Sequence, residues 1–290
     1  MRIAVIAVPY HLGREHVGLG NGPQALLDAG AARELEEAGH EVTVDVVQRS
    51  APFRHEIGAA LDVIRVVAQH VSAAVKRGAL PIVLAGNCSS SSGTLAGIGS
   101  EDTSLFWFDA HADFNTPETT ETGFFDGMTL TMAVGRCWTA LAESIPRFRP
   151  LPEANAVLIG ARDIDRFEAP LLQSSDVAAV SVAEVRAGRL ADEVKRVRAR
   201  TRRAYLHLDL DVLDTSVGRA NEWAVPGGLM TEELLKATRE IAQGLPLAAV
   251  ALTAYNPAVD EQRGVERAAL QVLSEIGSLL AQRQEPVARR

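Results

Sequence analysis

Two short stretches of this 290-residue chain gather acidic and imidazole side chains at a spacing that can do chemistry. In SLFWFDAHADFNTPETTETG, Ser104–Gly123, an apolar run leads into Asp109, His111 and Asp113 at every second position. In extended backbone such positions share one face, so two carboxylates and an imidazole point the same way. Burying them unpaired is costly and the like charges repel, which calls for a cation among them. The second stretch, YLHLDLDVLD, Tyr205–Asp214, repeats the spacing with Asp209 and Asp211. Four carboxylates and one histidine make an oxygen-rich donor set suited to Mn²⁺ or a similar divalent ion, and bridging carboxylates can hold two ions about 3.5–4 Å apart. Taken singly, D-x-H-x-D also fits a solvated loop or a Mg²⁺ site, and D-x-D is common. No G-x-x-x-x-G-K-[ST] or G-x-G-x-x-G loop accompanies them, which disfavours phosphoryl transfer.

Periodicity defines the elements that must present these residues. Short β-type runs fall at Ile3–Val8, Val42–Val47, Pro81–Leu84, Leu105–Phe108, Ala156–Ile159, Val177–Val182, Tyr205–Leu208 and Ala248–Leu252. Helix-like stretches fall at Pro23–Ala38, Glu56–Lys76, Leu190–Arg202, Thr231–Gln243 and Val265–Gln282. Pro23 suits a first helical turn, and Thr231 suits an N-cap followed by the acidic Glu232 and Glu233. The alternation predicts an α/β protein with a mostly parallel sheet covered on both faces, a class that binds ligands beyond the carboxyl ends of its strands. Asn87 and Cys88 follow the third run, Asp109–Asp113 the fourth, and Asp209 with Asp211 the seventh, all at that edge. Asn115–Gly127 has turn chemistry and reads as an active-site loop.

Composition narrows the partners. Hydrophobic residues form 47% of the chain and no repeat or linker divides it, so residues 1–290 are expected to form one large domain. With 29 Lys and Arg against 37 Asp and Glu, and no basic run, neither nucleic acid nor an anionic membrane is expected as partner; a small molecule is. The apolar run Ile3–Val8 is too short for a signal-peptide core, and no run approaches the roughly 18–20 residues of a membrane helix, so a cytoplasmic location is expected. Cys88 and Cys137 form no C-x-x-C pair and suggest neither a zinc ribbon nor a disulfide framework.

Five collinear motifs spanning nearly the whole chain resemble those of the arginase, or ureohydrolase, family: VGLGNGPQAL at Val17–Leu26, DAHADFN at Asp109–Asn115, IGARDID at Ile159–Asp165, LDLDVLD at Leu208–Asp214 and PGGLMTEE at Pro226–Glu233. The resemblance implies a three-layer α/β/α fold around eight parallel strands and a centre of two manganese ions. FNTPETTETG and the cysteine of AGNCS resemble in particular the Nω-hydroxy-L-arginine amidinohydrolase branch. By this likeness Asp109 and Asp209 would bridge both ions, His111 and Asp211 would complete one, and Asp113 with Cys88 would serve the other. Water activated by the ions would attack a guanidinium carbon and release urea, or hydroxyurea from a hydroxyguanidine. Asn115, Thr120, Asp163, Asp165 and Glu168 match positions around the substrate's amino-acid end, where loop and cap hydrogen bonding is the competing reading. The family also implies a homo-oligomer, a trimer or hexamer.

Three departures qualify the likeness. The family's G-G-D-H is here Ala85-Gly86-Asn87-Cys88, so a thiol stands where a ligating histidine is usual. A lone cysteine is commonly a small packed residue, yet this one follows a strand beside the metal motif. As a ligand it would leave one Mn²⁺ site weak. Asp126-Gly127 replaces a proton-shuttling histidine and its glycine; the carboxylate is either a catalytic proton carrier or a solvated loop residue. In LTAYNP, Leu252–Pro257, Ala254 stands where the family grips the guanidinium with a glutamate, which makes unmodified arginine a poor expected substrate. His11, Arg14 and His16, after the first strand, either reach the mouth of the site or form a plain surface loop. Two readings follow: a metal-dependent amidinohydrolase of a modified guanidino compound, or a non-catalytic relative that binds ligand or assists assembly.

Overall fold

The structure is a computed structural model that describes residues 1–283. Eight parallel strands form one sheet: β1 (Arg2–Val8), β2 (Glu41–Val46), β3 (Leu80–Ala85), β4 (Thr103–Phe108), β5 (Ala156–Ile159), β6 (Ala178–Val180), β7 (Arg203–Asp209) and β8 (Leu247–Thr253), in the order β2-β1-β3-β8-β7-β4-β5-β6. The main helices are α1 (Gly22–Ala29), α2 (Ala31–Glu37), α3 (Glu56–Lys76), α4 (Ser90–Ile98), α5 (Leu190–Arg198), α6 (Thr231–Gly244) and α7 (Gly264–Gln282). One apolar cluster joins α3 and α4 to one face of the sheet, and a second joins α5, α6 and α7 to the other. Strands such as LPIVLA and TSLFWF are buried along their whole length, as a parallel sheet covered on both faces requires.

All eight expected strands are present, with ends shifted by a few residues. β6 is shorter than the expected Val177–Val182 because Ser181 leaves the ladder to cap the next helix, accepting from Glu184 N while Glu184 accepts from Ser181 N. The expected helix Pro23–Ala38 breaks in two at Gly30, whose φ of 110° lies in the left-handed region. At α6 the N-cap is Met230 rather than Thr231, with Glu233 Oε2 accepting the Met230 N–H at 2.8 Å.

α4 has no counterpart among the expected helices. Its sequence SSSGTLAGI is weakly helix-forming, yet every residue is buried. Its glycines allow a close approach to α3: a Cβ on Gly93 would stand 2.4 Å from Ile64 O, and one on Gly97 2.5 Å from Val71 Cβ. α3 has the length and composition to cross a bilayer, but it is instead a packed helix, with ten of its residues buried against β1, β3 and α4.

Strand order decides where the site lies. The order in which successive strands are added reverses at the centre, where β8 and β7 are inserted between β3 and β4. Register aligns Thr253 with both Ala85 and Asp209, and Phe108 with Leu208, so the carboxyl ends of four adjacent strands finish level. The residues that follow, Asn87 and Cys88, Asp109–Asp113, Asp211 and Ala254, therefore converge at one edge although they are far apart in sequence.

Candidate metal centre and substrate cavity

Asp109 follows β4 and is fixed from several sides. Trp107 Nε1 donates to its Oδ2 at 3.0 Å, and the His111 N–H donates to its Oδ1 at 2.7 Å. Asp209 ends β7 and its Oδ1 accepts the Asp211 N–H at 2.9 Å, while Asp211 Oδ1 accepts the Ala110 N–H at 3.0 Å. The two acidic motifs are thus laced together through backbone amides. Asp113 has a left-handed backbone, φ 49°, and its Oδ2 accepts the Thr129 hydroxyl at 3.0 Å.

Donor atoms gather into two groups that share Asp109. Cys88, Asp109 and Asp113 offer Sγ and two carboxylate oxygens within 4.8 Å of one another, and Asp109, His111 and Asp211 offer two oxygens and a ring nitrogen within the same reach. Asp209 joins them through Cys88, whose Sγ lies 3.0 Å from its Oδ2. Without a cation this donor set is electrostatically frustrated. Burial, then the neighbouring Asp211, lifts Asp109 to about 6; burial and facing carboxylates push Asp113 and Asp209 well above the usual range. Among the described residues, His111 is the cationic side chain that pairs directly with the carboxylates of this cluster. Burial alone would lower its pKa, but its Nδ1 stands 3.3 Å from an oxygen of both Asp109 and Asp211, and these contacts raise it to about 12. Asp211 is held low, the pull of His111 and amide hydrogen bonds outweighing burial. A protonated imidazole here occupies the charge balance that a metal would fill, and the carboxylate, imidazole and thiol donors suit divalent ions.

Cys88 is 2% exposed, and burial followed by Asp209, Asp113, Asp109 and Asp126 pushes its thiol well up. The residues on either side of it are held by Asp126: the Asn87 amide donates to Asp126 Oδ2 and the Ser89 N–H to Oδ1 at 3.2 Å. Asn87 Oδ1 in turn accepts the Leu12 N–H at 2.7 Å. Asp126 is therefore no solvated loop residue; it is 5% exposed, and burial, partly offset by these hydrogen bonds, raises its pKa.

A cavity of about 220 Å³ opens over the cluster. Every residue expected in the site lines it except Asp109, which lies beneath. Asn115 Nδ2 donates to Asp165 Oδ2 at 2.9 Å, and Thr120 Oγ1 accepts the Gly123 N–H at 3.0 Å. Glu168 reaches the cavity but both oxygens take backbone amides, from Phe114 at 2.5 Å and Asp165 at 3.2 Å; burial, only partly offset by these bonds, lifts it to about 7. Asp163 stays largely exposed, its Oδ2 4.0 Å from His111 Nε2. Of the loop after β1, His11 contributes, making edge contacts with Phe124 and Trp223, whereas Arg14 pairs with Glu56 at 2.6 Å.

Sequence reading overlooked Asn221, Phe124 and Trp223. Phe124 and Trp223 stack across the mouth, centroids 5.3 Å apart, on two different loops. Asn221 Nδ2 bridges Asp211 Oδ2 at 3.1 Å and Ala254 O at 3.0 Å, and its Oδ1 accepts the Trp223 N–H at 2.9 Å. A tryptophan in GRANEWAV, a stretch outside the expected strands and helices, was the available signal. Ala254 lines the cavity with φ 60° and brings no charge to it.

Residues 1–278 match the model of the arginase family. An arginase from Bacillus caldovelox is 31% identical over 300 residues, covering 97% of this chain and 98% of that protein. The solved native structure of the Bacillus caldovelox arginase at pH 5.6 agrees with a TM-score of 0.86 at 28% identity over 99% of both chains. The arginase of Bacillus cereus gives 0.86 at 27% identity, over 99% of this chain and 100% of that one. An Nω-hydroxy-L-arginine amidinohydrolase from Streptomyces lavendulae is 30% identical over 251 residues, 83% of this chain and 86% of that protein. With an eight-stranded parallel sheet carrying the acidic cluster at its centre and similarity along nearly the whole chain, this protein belongs to the arginase family of hydrolases.

Proposed function

We propose that the protein is a manganese-dependent amidinohydrolase whose substrate is an α-amino acid bearing a modified, less basic guanidine such as an Nω-hydroxyguanidine. The observation that carries this reading is Ala254. It lines the cavity beside an otherwise complete acidic cluster, and no carboxylate stands in its place to form a bidentate pair with a guanidinium. A guanidine whose pKa is lowered by an electronegative substituent depends less on such a partner.

Asp109, Asp209, His111 and Asp211 would hold one ion, and Asp113 and Cys88, with the same bridging carboxylates, the other. Bound there, the two cations supply the positive charge that acidifies water and stabilises the negative charge developing on the guanidine. The chain's own groups do the rest. Asp163 and Asp165 present carboxylates to an α-ammonium group, with Asn115 and Thr120 beside them for the α-carboxylate. The Phe124–Trp223 pair covers the mouth and limits water. Asp126 lines the cavity and is the candidate to carry a proton to the leaving amine.

Restoring the missing carboxylate tests the reading. Ala254→Glu is expected to improve kcat/KM for L-arginine at least tenfold, about 1.4 kcal/mol, relative to Nω-hydroxy-L-arginine. An unchanged ratio between the two substrates would remove the basis for the assignment.

A further inference from the structure

Three buried polar side chains that the proposed function leaves unused form a line ending on Cys88. Tyr205 Oη lies 3.4 Å from His207 Nδ1, His207 Nε2 3.4 Å from Thr253 Oγ1, and Thr253 Oγ1 3.2 Å from Cys88 Sγ. All three are at most 1% exposed, and none lines the cavity. The imidazole also stacks on Trp107, centroids 3.6 Å apart and planes 15° from parallel, and Trp107 donates to Asp109. We propose that Tyr205, His207 and Thr253 are positioning residues, a directed hydrogen-bond chain whose last donor, the Thr253 hydroxyl, orients Cys88 Sγ as a metal ligand. This rests on the reading of Cys88 as a ligand and adds how the fold accommodates sulfur at that position.

The direction follows from counting donors. Both ring nitrogens of His207 face hydroxyl groups, Nδ1 that of Tyr205 and Nε2 that of Thr253, so a neutral imidazole there has one ring nitrogen donating and the other accepting. In one arrangement Nδ1–H donates to Tyr205 and Nε2 accepts the Thr253 hydroxyl; Cys88 then gets no donor and its own S–H is given to Asp209 Oδ2 at 3.0 Å. In the other, Tyr205 donates to Nδ1, Nε2–H donates to Thr253, and the threonine proton is free for Sγ or for Leu208 O at 3.4 Å. A coordinated sulfur has given up its proton and can only accept, so metal binding selects the second arrangement and frees Asp209 Oδ2 to face a cation.

Cobalt(II) is the probe, because a cysteine thiolate bound to it shows sulfur-to-metal charge-transfer absorption that oxygen and nitrogen ligands lack. The Co²⁺-loaded protein is expected to show such a band, and Cys88→Ser to lack it. A hydrogen bond stabilises the sulfur lone pair, so Thr253→Val, which keeps the shape, should move the band to longer wavelength. Thr253→Ser should restore it. His207→Phe, which keeps a ring on Trp107, should give a smaller shift the same way. A parent-like band in Thr253→Val, or a shift that Thr253→Ser does not reverse, overturns the chain and leaves ligation by Cys88 standing. A Co²⁺-loaded parent with no Cys88-dependent band overturns the ligand reading itself.

Discussion

Replacing Cys88 by histidine should tighten the weaker of two Mn²⁺ sites, and the structure gives the least size of the effect. A thiol must lose its proton to ligate. The ordinary cysteine value is 9.0, and burial followed by four nearby aspartates pushes Cys88 above it. At about pH 7.5 the ordinary value alone leaves roughly 1.5 pK units to overcome, about 2 kcal/mol, or roughly 30-fold in apparent affinity. Imidazole at that pH needs no deprotonation and, as a nitrogen donor, suits Mn²⁺ better than sulfur does. Calorimetric titration of apo protein with Mn²⁺ should therefore show one tight and one weak step in the parent, the weak step strengthening about tenfold for each pH unit. In Cys88→His it should tighten at least 30-fold near pH 7.5 and lose that slope above about pH 7. Two equally tight, pH-independent sites in the parent, unchanged by the substitution, would show Cys88 to be a packed thiol.

Asp109 is common to both donor groups, so Asp109→Ala should weaken both ions by at least about 100-fold, a fraction of the roughly 4 kcal/mol per charge pair expected at such contacts; elemental analysis after dialysis that finds full metal content would refute a shared role. His111 belongs to one group only, and His111→Ala should remove one ion and spare the other in the same measurement. For the apo protein, Asp109 raised to about 6, Glu168 raised to about 7 and His111 raised to about 12 all bind protons more tightly folded than unfolded. Their stabilisation is present at low pH and is lost as pH rises through those values, so the apo melting temperature should be higher near pH 5 than near pH 7.5. Added Mn²⁺ should recover the loss at the higher pH, and a melting temperature that rises with pH in the apo protein would contradict this balance.

How much of this was legible in the sequence depends on what each feature rests upon. Strands buried on both faces are nearly continuous apolar runs, so β3 and β4 could be read directly, and the two acidic motifs stand out because their spacing is local. α4 could not be read, because SSSGTLAGI is helical through glycine-mediated contact with α3 and not through its own propensity. The break at Gly30 was missed because the apolar pattern continues through it. At the site, single-residue departures such as Ala254 and Cys88 were visible against the motifs. The pairing of Asp126 with both neighbours of Cys88 was not, nor was the meeting of Phe124 with Trp223, since these join loops that only the sheet order brings together.

Ala254 points to hydrolysis of a modified guanidine and poor turnover of arginine as the proposed activity. Its most direct test compares, for the Mn²⁺-loaded protein, urea release from L-arginine with hydroxyurea and urea release from Nω-hydroxy-L-arginine, reading kcat/KM for each. Metal-dependent turnover of the hydroxyguanidine is expected, with kcat/KM at least tenfold above that for arginine. Robust arginine hydrolysis that is indifferent to hydroxylation of the guanidine would contradict it.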